Sequence, residues 1–350
     1  MSYAAVATTA IMACCYLLLR RGNAFAPEIT PPPRLRRCTA ALFAVIALSH
    51  IWYLPILWLP SFEARQTWYS VCEFIDYIAF VPLAMALLLS MLQDRQRPLW
   101  PACVAVVPII AGLALYLIGI GKVVVPAVAA YVVALVIGFT VYMVGAVRQY
   151  GKWLHDNYAD LEHKQIRTSL IVAAVLLIFF GLYSCEVGNR AFYFLIQVDY
   201  LLLIGFLLWR VETLSDLGGC ATTVNEEIHN NPENADHDNI GELLQRHCIE
   251  AQLYLQHDLT ITQLAKMIGT NRFYLSRYFS NNGTTYNAYI NGLRINHFIN
   301  IYQEALSSRQ PSTAQQLAYQ SGYRSYSTFS LAFKQLMGQN VTTWMRNQTS

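Results

Sequence analysis

Seven apolar runs fill the chain as far as Trp209, and each is roughly 17–25 residues long, the length an α-helix needs to cross a hydrocarbon core of about 30 Å. They run from Tyr3 to Leu19, Cys38 to Pro60, Val71 to Leu92, Leu99 to Ile120, Val123 to Val147, Thr168 to Cys185 and Ala191 to Trp209. Only Gly121 and Lys122 part the fourth from the fifth. With 55% hydrophobic and 13% charged residues over 350 positions, there is little else from which a soluble N-terminal domain could be built. The expectation is an all-α chain: a polytopic helical membrane bundle of about seven spans, followed by a cytoplasmic part.

Orientation follows from the basic residues, because short loops rich in Lys and Arg stay in the cytoplasm. One alternate set of loops holds Arg20, Arg21, Arg34, Arg36, Arg37, Arg95, Arg97, Arg148, Lys152, Lys164 and Arg167. The other set holds only Arg65, Lys122 and Arg190. The first run is not expected to act as a cleavable signal, since its positive charge follows the apolar stretch. The N-terminus is therefore expected outside, and everything after Arg210 inside, in a multi-pass protein of the cytoplasmic membrane.

Ionisable residues within spans are costly and so have a partner or a task. Glu73 and Asp76 fall near the outer end of the third run, Asp199 within the seventh, Glu186 and Arg190 between the sixth and seventh, and His50 midway along the second. They are read as an outward-opening polar pocket that senses an unknown signal ligand, or as groups that pair to hold the bundle together. Cys72 and Cys185 both fall at outer ends of runs, where oxidation is feasible. The other cysteines show no C-x-x-C spacing and no His at ligand distance, so no metal site and no cofactor are expected. No phosphate-cradling loop, H-E-x-x-H or G-x-S-x-G occurs, which argues against an enzyme.

From Leu214 to Asn239 the chain turns acidic and aperiodic, and residues 211–239 read as a polar linker. As a flexible coil the stretch would span roughly 28 Å. Residues 1–210 are then the membrane domain and 240–350 a separate soluble domain.

That domain contains a repeat. T-I-T-Q-L-A-K-M-I-G from Thr260 to Gly269 is echoed by T-A-Q-Q-L-A-Y-Q-S-G from Thr313 to Gly322. In each copy a Thr caps a helix, a small Ala stands four residues before the Gly, and the Gly makes the turn into a second helix. Thr270 is expected to cap that second helix in the first copy. Leu275 and Phe279 face inward there, as do Phe329 and Phe333 in the second copy. Both copies read as helix-turn-helix pairs.

The residues LAKMIGTNRFYLSRYF, the connecting YINGLRINHFINIY, and LAYQSGYRSYSTFSLAFKQLMG with Trp344 beyond it resemble the DNA-binding domain of the AraC/XylS family of transcription regulators. The resemblance covers residues from about Gly241 to Arg346. It implies two helix-turn-helix units joined by a long helix and binding double-stranded DNA. Two positions depart from the family pattern: Leu331 stands where an Arg contact to DNA is usual, and Val341 where a Pro is usual, read here as a tolerable change in a loop.

A recognition helix offers its N-terminal and outward residues to base edges while neighbouring cations meet phosphates. The DNA-binding set is expected to be Arg272, Phe273, Ser276 and Arg277 in the first unit, and Arg324, Ser325, Tyr326, Ser327 and Lys334 in the second. Arg277, able to donate twice to guanine, is the leading base reader, with a phosphate contact as the alternative. From Ile240 onward nine basic residues face four acidic ones, a modest excess that suggests a homodimer at the operator. The chain is thus expected to be a membrane-integrated transcription regulator controlled through its spans. The alternative is a membrane transporter or enzyme carrying an accessory helix-turn-helix domain.

Overall fold

The computed structural model describes residues 2–20, 30–161, 164, 166–184, 190–217, 239–308 and 312–349. Most of the expected linker, together with Cys185, Glu186, Arg21 and Arg309, lies outside the described residues. The described chain is all-helical, and its one β-type feature is an isolated bridge between Tyr158 and Thr260. It divides into two compact units. The N-terminal unit comprises Met1–Tyr150 with Ile166–Ala221, and the C-terminal unit Gly151–Gln165 with Thr222–Ser350.

The N-terminal unit is built from α1 (Ser2–Leu19), α2 (Pro33–Trp52), α3 (Phe62–Ser90), α4 (Trp100–Val104), α5 (Val107–Leu115), α6 (Gly121–Asn157), α7 (Arg167–Ser184) and α8 (Arg190–Thr213). The last residues of α6 belong to the C-terminal unit. Among the described residues, five segments are long and apolar enough to cross a membrane: Pro33–Leu57, Phe62–Ser90, Trp100–Ile120, Val123–Asn157 and Phe194–Thr213. The first and sixth apolar runs form shorter apolar helices, so the count of seven is approximate. Large apolar side chains face outward throughout, among them Met12, Leu57, Trp58, Ile118 and Val141.

The uncertain boundary between the fourth and fifth runs has a physical marker. Gly119 has φ +100°, a left-handed conformation that costs a side-chain-bearing residue about 1–2 kcal/mol. The helix breaks there, two residues before the Gly121–Lys122 pair favoured by the sequence. Beyond the break α6 packs back on α5. Ile109, Val124, Val128 and Phe74 share one apolar cluster, and a Cβ placed on Gly112 would stand 2.5 Å from a Val128 methyl.

Several arginines gather among the ends of these helices. The Arg97 guanidinium pairs with Asp94 at 2.5 Å with both side chains nearly fully buried, Arg34 donates to the Arg97 carbonyl, and Arg36 donates to the Leu17 carbonyl at 2.6 Å. Tyr16 of α1 donates to Glu212 of α8.

In the C-terminal unit α9 (Ile240–Leu244) continues through a wider turn at Gln245–Glu250. It is followed by α10 (Ile261–Met267), α11 (Arg272–Asn281), α12 (Tyr286–Ser307), α13 (Ala314–Gln320), α14 (Tyr326–Met337) and α15 (Val341–Thr349). Two apolar cores form at opposite ends of α12. Tyr286 and Ile290 join Leu244, Ile261, Leu264, Leu275 and Phe279 in the first. Ile295, Phe298 and Tyr302 join Leu317, Tyr323, Phe329, Phe333 and Trp344 in the second. Val341 opens α15 and is buried in this second core, so the departure from Pro falls at the first position of a helix and not in a loop; that position tolerates either residue.

Candidate nucleic-acid interface

The two repeated segments fold alike because the same local chemistry starts and stops their helices. Thr260 and Thr313 each accept a hydrogen bond from the backbone N–H three residues on, and Gln263 and Gln316 reach back to the capped N–H, so both α10 and α13 begin with a complete capping box. Both helices stop at a glycine with positive φ, +75° at Gly269 and +86° at Gly322. Ala265 and Ala318 are fully packed, which lets the following helix cross closely. The second helix of the first unit starts one residue later than expected. Asn271, not Thr270, is the cap of α11, its side chain accepting from the Tyr274 N–H. Either residue type suits the position, and the turn geometry selects the second.

The units are held in fixed relation by contacts that do not show in the repeat. Arg294 of α12 is fully buried: its Nε donates to the Tyr254 carbonyl at 2.7 Å, and one terminal nitrogen donates to the carbonyls of Gln256 (2.7 Å) and His257 (3.3 Å). Its guanidinium also lies over the ring of Tyr323, the residue after the second turn. Burial lowers its pKa from the usual arginine value, and the accepting carbonyls replace the water it has lost. A Cβ on Gly322 would meet the Leu255 backbone at 2.8 Å, so the second turn rests directly on the segment gripped by Arg294. Arg294 therefore serves the fold, and the basic excess available to a ligand is smaller than the charge count suggests.

The expected DNA-contacting residues divide by environment. On α11, Phe273 and Arg277 are exposed and Ser276 is half-buried. Arg272 is half-buried, with Nε donating to Asn157 Oδ1 at 2.6 Å. At the second unit Arg324 is exposed and reaches Asp258 at 3.4 Å, an exposed pair that DNA phosphate can displace. Ser325 caps α14 by accepting from the Thr328 N–H, so its hydroxyl has a folding task. Tyr326 is half-buried against Phe329, while Ser327 and Lys334 are exposed. Leu331, at the position of the missing Arg, is 53% exposed on the same helix.

The ionisable residues of the N-terminal unit do not fall into a single group. At the end of α2, Trp52 Nε1 and Tyr53 Oη donate to the two carboxylate oxygens of Asp76, at 3.1 and 2.7 Å. His50 Nε2 is 3.0 Å from Gln197 Oε1 on α8, two residues before Asp199, which is buried. Glu73 accepts from Tyr77 on its own helix. His50, Trp52 and Tyr53 thus link α2 to both α3 and α8. Of the two remaining residues of this set, Glu186 lies outside the described residues, as does the side chain of Arg190. Cys72 carries a free thiol, which donates to the Trp52 carbonyl.

Residues 264–347 match a family model described as a helix-turn-helix domain, of AraC type. The match takes in both turns, both second helices and the connecting α12. It supports a DNA-binding transcription regulator. No curated protein and no solved structure matches the chain.

Proposed function

We propose that this chain is a membrane-integrated transcription regulator whose two helix-turn-helix units bind a specific double-stranded sequence under the control of a signal received by the N-terminal unit. The observation that carries the reading is the matched pair of capped helix-turn-helix units at the two ends of α12. That helix has 22 residues and so is roughly 33 Å long, comparable with the 34–36 Å repeat of the duplex. One chain can then present α11 and α14 to successive major grooves. Arg277, Phe273 and Ser276 read bases from the first, and Arg324, Tyr326 and Ser327 from the second, with Lys334 on phosphate and Ser325 as cap.

The membrane part of the reading is supported by five helices of spanning length and by the outward apolar side chains, which in water would form patches far larger than soluble proteins carry. The loop charges favour an N-terminus outside and residues 240–350 in the cytoplasm. Sensing is assigned to the polar contacts that join α2 to α3 and α8, Asp76 with Trp52 and Tyr53, and His50 with Gln197. The chain acts as a homodimer, which brings four reading helices to one operator.

Two substitutions in the full-length protein test the reading. Arg277→Ala should weaken operator binding by about 1–3 kcal/mol and relax preference at one base position. Uniform weakening over all sequences would make Arg277 a phosphate contact instead. Asp76→Asn should leave membrane insertion and operator binding intact while changing the response of the target promoter. An unchanged response would remove the sensing role from this site.

A further inference from the structure

Between α6 and α7 the chain reads H-D-N-Y-A-D from His155 to Asp160, a polar stretch that composition alone would leave in solvent. In the structure it is part of the C-terminal unit, and Asn157, Tyr158, Ala159 and Asp160 are all buried. Ala159 is 1% exposed and belongs to the same apolar core as Leu259, Ile261, Leu264 and Leu275. Tyr158 bridges to Thr260, the cap of α10. Asn287 Nδ2 donates to the carbonyls of Tyr158 at 3.0 Å and Ala159 at 2.7 Å, and Asn291 Nδ2 donates to Ala159 at 3.2 Å. Arg272 completes the set through its bond to Asn157. Two asparagines and an arginine thus converge on three consecutive residues.

The two places this stretch covers are the ones a helix-turn-helix unit turns toward a duplex. The first helix crosses the phosphate backbone, and the N-terminal residues of the second reach the base edges. Thr260 starts α10, and Arg272 is the first residue of α11. The Asp156 carboxylate is also within electrostatic reach of Arg272, with the sign of charge a phosphate would bring.

We propose that residues 156–160 are a built-in cap on the first helix-turn-helix unit, which withholds Arg272 from DNA until the cap is lifted. The inference rests on the DNA-binding reading above and supplies its means of control. The capping stretch begins at the end of α6, a helix that runs from Gly121 to Asn157, and so lies apart in sequence from residues 214–239. Lifting the cap frees one cation for the duplex and removes a nearby carboxylate.

The test uses the full chain in detergent micelles and a duplex selected by the wild-type protein. Asn157→Ala removes the acceptor of Arg272, and Asn287→Ala removes two of the three amide bonds that clamp the cap. Each should bind the selected duplex about tenfold more tightly, the worth of one released charge-assisted hydrogen bond, with a steeper dependence on salt. Adding Arg272→Ala should abolish the gain. Hydrogen exchange on the wild-type protein gives a readout that needs no substitution: amides of residues 157–160 should exchange faster when the duplex is bound. Unchanged or weaker binding by Asn157→Ala, a gain that survives Arg272→Ala, or unchanged or slower exchange would overturn the cap. A wild-type protein that selects no sequence would instead defeat the DNA-binding reading itself.

Discussion

Gly322→Ala separates two costs that a turn glycine can carry. Its φ of +86° would charge any side-chain-bearing residue about 1–2 kcal/mol for the left-handed conformation. The new Cβ would also stand 2.8 Å from both Cα and O of Leu255, backbone atoms that cannot swing aside as a side chain could. Forcing that contact apart adds about 1–3 kcal/mol, so the substitution should destabilise the C-terminal unit by about 2–5 kcal/mol. Gly269→Ala and Gly338→Ala are the controls, because both have positive φ but meet nothing within 4 Å. Each should cost only the conformational part. Pulse proteolysis of the full-length protein across a urea series reads the midpoint for cleavage of this unit. If all three substitutions lower the midpoint equally, the close approach of the second turn to Leu255 is not a feature of the folded protein.

Other expectations follow from single contacts. Arg294→Met should keep most of the packing volume yet leave three backbone carbonyls without their donor, costing about 3 kcal/mol or more in the same urea series, whereas a surface arginine would cost almost nothing. Gly112→Ala should push α5 from α6 and lower the thermal stability of the N-terminal unit, and Val128→Ala in the same chain should restore it by removing the methyl at 2.5 Å. Cys248 is fully buried, and burial pushes its thiol up to about 11. At neutral pH it should react with an alkylating reagent only at urea concentrations that open the C-terminal unit, and rapid labelling of the folded unit would contradict the packing.

What could be read from the sequence was local. In each copy the Thr cap, the buried alanine, the turn glycine and the inward pair (Leu275 with Phe279, Phe329 with Phe333) lie within about twenty residues of one another, and their spacing specifies two helix-turn-helix units before any long-range contact is considered. The shift of the α11 cap from Thr270 to Asn271, and of the break from Gly121 to Gly119, arise where two suitable residues stand close together and the spacing alone does not choose between them. The distant contacts left no local trace. Arg294 reads as an ordinary cation of the connecting helix, because the carbonyls that bind it lie 37–40 residues away. Asn157 and Ala159 read as loop, because their partners lie more than a hundred residues further on. The ionisable residues of the apolar runs were legible only as a group of costly residues. That Asp76 meets Trp52 and Tyr53 while His50 meets Gln197 depends on how three helices pack.

The central claim is that one chain reads two adjacent stretches of duplex with α11 and α14. Selection of random-sequence duplexes by the full-length protein tests it most directly. The account predicts an enriched operator in which each half has two parts about 10–10.5 base pairs apart, centre to centre, with Arg277→Ala degrading one part of each half and Arg324→Ala the other. Enrichment of no sequence, or of a single short element indifferent to both substitutions, would contradict it.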